Sequence, residues 1–220
     1  NFTGADLEFA CKAGTAALQM CMGLVKSDYI KYGLAIGSDT AKYPLENVTD
    51  HSMGAGSASF IIGKNENEIL AEIEGTSSYT TDTPDFWRRA EEKYPRHTER
   101  FTGNPAYFKH IISATKNLME KLKLKPSDID HAVFHTPNGK FVVEAAKASG
   151  FSKEAIKSGF IVNKIGNAFS AASLLSLAAV LDKAKPGERI LMTSFGSGAG
   201  SDSFSIKVTD KIKEKVDLAK

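Results

Sequence analysis

The chain has 220 residues, of which 42% are hydrophobic and 25% charged, and 28 lysines and arginines nearly balance 26 aspartates and glutamates. This composition is that of a globular protein and excludes a disordered, collagen-like or coiled-coil chain. The net charge of +2 gives no support to a nucleic-acid or membrane-surface partner, since such partners favour a strongly basic surface. Two cysteines are too few for a disulfide framework or a zinc site, so we expect a reduced, cytoplasmic protein without a bound metal.

The first half of the chain is predicted to contain one helix and three strands. Residues 5–26 are predicted to form a helix preceded by a turn, with small residues at the start of the helix and an apolar stripe along it. Strands are predicted at 33–38, at the end of the glycine-rich segment 51–63, and over 69–80, where apolar residues alternate. Residues 82–104 hold two prolines and the only tryptophan, which predicts a surface excursion with short helical turns of the kind that often carries function.

The second half is predicted to alternate helices and strands. Helices are expected over 105–123, 139–149 and about 172–183, and strands at 131–135 and twice within 188–208, on either side of a glycine-rich turn. The apolar run 171–181 is too short to span a bilayer and predicts a buried core helix. GAGSASFIIG and GAGSDSFSIK nearly superimpose, which indicates two copies of one α/β unit.

Cys11 is the first candidate for chemistry. It lies near the predicted start of the first helix among small residues that let a substrate approach closely. The partial positive charge of a helix N-terminus favours the thiolate, which is the nucleophilic form. The alternative for any free cysteine is a small buried hydrophobe, and this is how we interpret Cys21.

His135 is the second candidate. It ends a predicted buried strand, and the Thr-Pro-Asn turn after it would expose the imidazole where ligands bind in open α/β sheets. A cysteine with a histidine is the minimum for an activated thiol nucleophile, although a histidine satisfied within the core is the alternative. The other histidines lack this context and are interpreted as surface or structural residues: His51, His97, His110 and His131.

Two further segments could assist such a nucleophile. Asn167 lies in GNAFSAAS at a predicted helix start, where its amide serves either a substrate or the helix as an N-cap. The glycine-rich turn in FGSGAGSDS at 195–203 can aim backbone N–H groups at a developing oxyanion, although an ordinary hairpin turn is the alternative.

The order of these segments resembles the condensing enzymes of the thiolase superfamily, and within it the archaeal type of 3-hydroxy-3-methylglutaryl-CoA (HMG-CoA) synthase. HTPNGK at 135–140, SDTAKY at 38–43 and the excursion at 82–104 favour this branch over ketoacyl-acyl-carrier-protein synthase III. The resemblance implies a thiolase-like layered αβαβα fold with internal duplication, the first repeat being incomplete. It divides the chain into the rest of the first repeat (1–81), an insertion (82–104), the second repeat (105–208) and a solvated charged tail (209–220).

The resemblance also implies a reaction, the condensation of acetyl-CoA with acetoacetyl-CoA and water to HMG-CoA in the mevalonate pathway of isoprenoid biosynthesis. Cys11 would carry the acetyl group as a thioester. His135 would bind and polarise acetoacetyl-CoA with the help of Asn167. The N–H groups of Cys11 and Ser197 would form the oxyanion hole.

Substrate contacts and cofactors follow from the same resemblance. Tyr43 would line the acyl pocket, and Lys140, Arg88 and Arg89 are candidates for contacts with CoA, with a solvated surface role as the alternative. CoA thioesters are expected as substrates, with no permanently bound cofactor. The family's general acid/base is a glutamate before the cysteine helix, which no residue of 1–11 matches because Glu8 is too close to Cys11. We therefore expect this chain to be the later part of a longer protein.

The resemblance also implies partner proteins. The chain would form a homodimer or tetramer, and it would join a complex with acetoacetyl-CoA thiolase and a small OB-fold protein. Neither nucleic acid nor a membrane is expected as a partner. Two other functions stay open. One is a ketoacyl synthase III-like acyltransferase, and the other is a non-catalytic thiolase-like subunit of an acyl-CoA-handling complex.

Overall fold

A computed structural model of the chain describes residues 3–40, 52–98 and 100–214. The helices are α1 (Ala13–Lys26), α2 (Phe108–Leu122), α3 (Gly139–Ala148), α4 (Lys153–Ile156), α5 (Val162–Ile165) and α6 (Ala172–Leu181). The strands are β1 (Gly33–Thr40), β2 (Ala55–Ile62), β3 (Ala71–Thr83), β4 (Phe86–Trp87), β5 (Arg96–His97), β6 (His131–Phe134), β7 (Arg189–Thr193) and β8 (Gly198–Val208).

A four-stranded sheet in the order β3-β8-β7-β6 forms the centre of the described chain. β6 and β7 are parallel, whereas β8 runs antiparallel to both β7 and β3. β1 and β2 pair with each other as a separate antiparallel ribbon, and β4 and β5 form a two-residue hairpin. The segments predicted to carry catalytic residues, around Cys11, His135 and Asn167, lie beside this central sheet.

On β6 and β7 both faces are buried, and apolar residues follow one another along these strands instead of alternating with polar ones. On β7, Leu191 packs with residues of α2 and α3 such as Ile111 and Ala145. Its neighbours Ile190 and Met192 point the other way and pack with Leu18 of α1 and several residues of α6. The sheet therefore lies between two helical layers.

The ribbon β1–β2 adds a fourth layer on the outer side of α1 and α6. Ala35 of β1 is buried in the same cluster as Leu18 of α1. The opposite face of the ribbon is apolar but open, since Leu34, Ile36 and Ile61 are 58%, 53% and 74% exposed. From one side to the other, the layers of the described chain are thus α2 with α3, the central sheet, α1 with α6, and the ribbon β1–β2.

The expected internal duplication has a clear counterpart in this arrangement. α1 is followed by the antiparallel pair β1–β2, and α6 is followed by the antiparallel pair β7–β8. The helices α1 and α6 lie together between the central sheet and the ribbon, where Leu18 and Leu174 belong to one core cluster. The layered α/β arrangement predicted from alternating helices and strands is confirmed.

The starts of the first two long helices agree with the sequence predictions. The sequence predicts a turn followed by a helix over 5–26; residues 3–8 are exposed and form no regular element, and the helix begins at Ala13. Asn104, with the extended angles φ −131° and ψ 116°, is the only non-helical residue of the turn Thr102–Tyr107 that leads into α2, so helical backbone begins at Pro105 as expected. The excursion contains the β4–β5 hairpin, which the sequence did not indicate.

The segment expected to be a solvated tail is partly packed against the core. Asp210–Glu214 forms a 3-10 turn in which Ile212 is buried with α6 and the central sheet. The N–H of Thr209 donates to the carbonyl of Leu70 at 3.0 Å. The prediction is wrong at Ile212, whose apolar side chain packs into the core, whereas Asp210, Lys213 and Glu214 are exposed as expected. Within the described ranges, no helix combines the length and apolar character needed to cross a bilayer.

Candidate active site

Cys11 lies in a tight turn immediately before α1 and is half-buried. The preceding residue, Ala10, has φ 42°, a left-handed conformation that costs a non-glycine residue on the order of 1 kcal/mol. The N–H groups of Lys12 and Ala13 donate to the carbonyls of Phe9 and Ala10, both at 3.1 Å. The nucleophile candidate is therefore held by a strained but hydrogen-bonded turn.

The environment of Cys11 disfavours the thiolate. Burial raises the pKa of its thiol to about 12, and the carboxylates of Asp39 and Asp85 add to the rise. The expectation that the helix N-terminus would stabilise the thiolate is therefore wrong for this state of the protein. Loss of water and two nearby negative charges outweigh the helix dipole, whose effect falls off within a turn.

The glycine-rich turn at 196–200 packs directly on the segment that carries Cys11. A Cβ atom on Gly196 would lie 2.4 Å from the carbonyl oxygen of Phe9 and 3.0 Å from the nitrogen of Lys12, so only glycine allows this approach. Gly196 and Gly200 exchange backbone hydrogen bonds of 2.8 Å across the turn. The structure thus brings the segment around Ser197 next to the segment around Cys11, as the sequence analysis expected.

Asp85 is a buried carboxylate at this turn that the sequence analysis missed. Its side chain is fully buried, and Oδ1 accepts a hydrogen bond of 2.7 Å from the N–H of Gly198. Oδ2 is buried without a hydrogen-bond partner among the described residues. The backbone carbonyl of Asp85 accepts from Thr98 and Thr102. The excursion thereby places a negative charge beside the nucleophile, and nothing in its local sequence indicates this.

His135 follows the last residue of β6 and is 1% exposed. Its N–H donates to Thr193 at 2.9 Å, and its carbonyl accepts from the hydroxyl of Tyr107 at 2.7 Å. Its ring centroid lies 6.4 Å from that of Phe195, the residue before the glycine-rich turn. Nδ1 is buried without a hydrogen-bond partner in the described chain. The imidazole is therefore fixed by its backbone and enclosed beside the turn rather than exposed.

Burial lowers the pKa of His135 to about 3 from the ordinary 6.5, so the ring is neutral near pH 7. Between pH 6.5 and 3 the unfolded chain binds a proton here that the folded chain does not, and the free energy of unfolding must fall as the pH falls. We expect His135 alone to remove about 2 kcal/mol at pH 5. Urea unfolding at pH 7 and pH 5 will show this loss in wild type and a smaller one in His135→Gln. An equal loss in both would contradict the prediction.

Asn167 lies in a loop that pairs with the segment before β2. Its N–H donates to the carbonyl of Ser52 at 2.7 Å, and its own carbonyl accepts from the N–H of Gly54 at 2.8 Å. The side-chain Oδ1 accepts from the N–H of Phe169 at 2.9 Å, which orients the amide in a local turn. Asn167 is not an N-cap, since Ala168 caps the 3-10 turn that follows. The turn bond and a substrate role are compatible, because the bond uses only the carbonyl oxygen.

The loop of Asn167 continues into a 3-10 turn at Phe169–Ala171 that packs against the start of α1. A Cβ on Gly14 would lie 2.5 Å from the carbonyl oxygen of Ser170, and one on Gly37 of β1 would lie 2.6 Å from the same atom. The N–H of Ser170 also donates to Asp39 at 3.3 Å. The small residues of α1 thus let three segments of the chain meet near Cys11.

The basic residues expected to contact CoA lie at the surface. Lys140 is exposed in the first turn of α3, with its Nζ 3.8 Å from Glu144. Arg88 and Arg89 are exposed directly after β4. Tyr43 falls outside the described residues. Among the residues that are described, no group of three or more histidines, cysteines or carboxylates could hold a metal ion.

Two other residues near Cys11 were not indicated by the sequence. Lys12 and Asp202 form a buried ion pair with an Nζ to Oδ2 distance of 2.7 Å. Asp202 is the single carboxylate in the buried strand β8, and a carboxylate flanked by serines in such a strand is the only available signal. His110, by contrast, has the structural role expected of it, because its ring nitrogens bond Thr81 and the carbonyl of Ala106.

The chain resembles known proteins along its whole length. A family model described as "3-Oxoacyl-[acyl-carrier-protein (ACP)] synthase III C terminal" matches residues 119–208. The hydroxymethylglutaryl-CoA synthase of Methanocaldococcus jannaschii is 57% identical over 219 residues, which are 100% of this chain and 63% of the relative. That of Archaeoglobus fulgidus is 58% identical over 213 residues, 97% of this chain and 61% of the relative. The chain therefore spans about six-tenths of the length of these curated relatives.

A solved structure supports the same assignment at the level of the fold. The "Crystal structure of HMG_CoA synthase complexed with CoA" matches with a TM-score of 0.85 and 23% identity over 97% of this chain and 58% of that one. The thiolase-like fold expected from the motif order is confirmed. The chain is therefore similar to archaeal hydroxymethylglutaryl-CoA synthases over nearly all of its length, and it has a thiolase-like fold.

Proposed function

We propose that this chain supplies the nucleophile and the substrate-polarising groups for the condensation of acetyl-CoA with acetoacetyl-CoA to HMG-CoA. The observation that carries the proposal is the packing of Gly196 against the backbone of Phe9 and Lys12, which sets a glycine-rich turn beside Cys11. The names of the archaeal relatives support the choice of reaction. The pathway served would be the mevalonate route to isoprenoids.

The first step is acetyl transfer to Cys11. The thiol gives up its proton, its sulfur forms a bond to the acetyl carbonyl carbon, and the bond from that carbon to the sulfur of CoA breaks. The departing CoA thiolate takes up a proton. During the transfer the carbonyl oxygen becomes an oxyanion, for which the N–H groups of Cys11 and Ser197 are the proposed donors.

The second step joins two carbons. A base removes a proton from the acetyl methyl group, and the resulting carbanion attacks the ketone carbon of acetoacetyl-CoA. The neutral imidazole of His135 has a buried nitrogen without a partner in the described chain, which suits it to polarise that ketone by hydrogen bonding. The amide of Asn167 is proposed to assist. The new alkoxide takes up a proton, and the product remains bound to Cys11 as a thioester.

The third step frees the product. Water attacks the thioester carbonyl, the carbon–sulfur bond breaks, and the thiol of Cys11 recovers its proton while HMG-CoA leaves. The base of the second step is a glutamate by resemblance to the family. Glu8 is too close to Cys11 along the chain to be this glutamate.

The same proposal includes the substrate contacts, the division of the chain into segments and the partner proteins. Lys140, Arg88 and Arg89 are accessible to the phosphates of CoA, and Tyr43 is proposed to line the acyl pocket. The proposed division of the chain is 1–81, 82–104, 105–208 and 209–220. The open apolar face of β1–β2 supports association with further polypeptide, as in the proposed dimer or tetramer and the complex with a thiolase and an OB-fold protein. Two free cysteines fit the proposed cytoplasmic location.

Mass spectrometry with acetyl-CoA tests the nucleophile. We expect the complete polypeptide to gain one acetyl group on Cys11, and Cys11→Ser to gain none and to form no HMG-CoA when acetoacetyl-CoA is added. Cys21→Ser is the matched control, because this second cysteine lies within α1 and packs beside Gly33. Acetylation at Cys21, or none in wild type, would refute the proposal.

A ketoacyl synthase III-like transfer is the second candidate, favoured by the description of the family model that matches residues 119–208. It shares the acetylated cysteine but passes the acetyl group to a malonyl unit on acyl carrier protein. Supplying acetyl-CoA with either acetoacetyl-CoA or malonyl-acyl carrier protein separates the two. If product forms only with the malonyl substrate, the function is the ketoacyl synthase III-like transfer and not HMG-CoA synthesis.

A further inference from the structure

The residue after the proposed nucleophile enters a buried ion pair that the reaction described above does not use. Nζ of Lys12 lies 2.7 Å from Oδ2 of Asp202, and the two residues are 6% and 1% exposed. They are 190 positions apart in the chain. The pair therefore links the turn that carries Cys11 to strand β8.

The carboxylate of Asp202 is held on both oxygens. Oδ2 also accepts from the hydroxyl of Thr15 at 3.3 Å, and Oδ1 accepts from the hydroxyl of Ser78 at 2.8 Å. The hydroxyls of Thr15 and Ser194 lie 2.6 Å apart. A buried charge with so many fixed partners has little freedom to move, because each displacement leaves a polar group unsatisfied.

The path of the Lys12 side chain explains what the ion pair fixes. A Cβ on Gly196 would lie 2.9 Å from Cγ of Lys12, so the lysine passes directly along the glycine-rich turn on its way to Asp202. Its Nζ also lies 4.4 Å from the centre of the Phe9 ring, within the range of a cation–π contact. The lysine is therefore enclosed between the two segments whose N–H groups form the proposed oxyanion hole.

Net stability is a weak reason for such a pair. The cost of removing two charges from water roughly cancels their attraction, so an apolar pair of similar size is often as stable. Position is a better reason, because an error of about 1 Å in a reacting group can slow a reaction by about 100-fold. The pair joins the nucleophile's turn to the strand that begins in the glycine-rich turn.

We propose that Lys12 and Asp202 are positioning residues for acetyl transfer, which hold the backbone around Cys11 in register with the turn containing Ser197. This inference rests on the proposed function, since it concerns the acetylation of Cys11. It assigns the pair no contact with substrate and no proton transfer. Its prediction is a selective loss of reactions that pass through an oxyanion.

The test compares two reactions of the same thiol in the complete polypeptide. Acetylation by acetyl-CoA passes through an oxyanion, whereas alkylation by iodoacetamide is a direct displacement and does not. In Lys12→Met/Asp202→Asn, which removes both charges and keeps the net charge, we expect the ratio of acetylation rate to alkylation rate to fall about 100-fold. We expect Lys12→Arg, which restores the charge on a bulkier group, to regain part of that ratio.

The matched control breaks the bidentate pair of Arg189 and Glu74, which joins β7 and β3 elsewhere in the same sheet at 2.8 and 2.9 Å. Arg189→Met/Glu74→Gln should leave the ratio within about threefold of wild type. A wild-type ratio in the double variant, or the same fall in the control, would overturn the inference. If the double variant does not fold, Asp202→Asn alone decides, since it removes the ion pair and an unchanged ratio there also overturns the inference. Absence of Cys11 acetylation in wild type would refute the proposed function and this inference together.

Discussion

Replacing Gly196 by alanine is expected to lower the rate of Cys11 acetylation by about 100-fold. The new methyl group would lie 2.4 Å from the carbonyl oxygen of Phe9 and 3.0 Å from the nitrogen of Lys12. Both are backbone atoms, so they cannot turn aside as a flexible side chain could. The turn and the nucleophile must therefore separate, and the two proposed N–H donors lose their common target. Single-turnover acetylation followed by mass spectrometry measures the effect.

Gly23→Ala is the matched control for this substitution. Gly23 lies in the interior of α1, and a Cβ there would meet no other atom within 4 Å. Alanine should stabilise the helix by about 1 kcal/mol, since it has the higher helix propensity, and acetylation should keep its wild-type rate. Full acetylation of Gly196→Ala would show that the turn does not assist Cys11, whereas slow acetylation of both variants would point to a general loss of structure.

Asp85→Asn is expected to make Cys11 more reactive toward iodoacetamide, by about tenfold at pH 8 if the pKa falls by one unit. The carboxylate of Asp85 is one of the groups that raise the pKa of the thiol. Removing its negative charge lowers that pKa, so a larger fraction of Cys11 is thiolate at a given pH. The pH profile of alkylation measures the shift directly.

The same variant should acetylate no faster despite its more reactive thiol. Asn can still accept a hydrogen bond from Gly198, but it also places a buried amide N–H₂ where Oδ2 has no partner in the described chain. Asp82→Asn is the control, because Asp82 is exposed on β3 and does not contribute to the raised pKa of Cys11. An unchanged alkylation profile in Asp85→Asn would show that its charge does not reach the thiol.

Local sequence signals were enough to predict most of the fold. The strands β6 and β7 are short apolar runs buried on both faces, and α6 is apolar around its whole circumference, so pattern and environment agree. Ile212 was misjudged because its core position depends on contacts with distant elements.

The sequence predicted the motifs of the candidate site but not its electrostatics. Cys11, His135 and Asn167 each stand in a recognisable local context, and the family resemblance put them in order. The state of the thiol could not be read in this way. The pKa of the thiol depends first on burial and then on Asp39 and Asp85, which the fold brings close to Cys11, and the partner of Lys12 lies 190 residues away. Electrostatics at a site is a property of the assembled chain, whereas a motif is a property of one segment.

The raised pKa of Cys11 has a consequence for the lifetime of the proposed nucleophile and of its proposed acetyl thioester. Oxidants and alkylating agents attack the thiolate, so the raised pKa slows their attack on the free thiol. An acetyl thioester at the same atom carries no charge, so neither burial nor the two carboxylates penalise it. One environment can thus guard the empty nucleophile against chemical damage and still tolerate the loaded one.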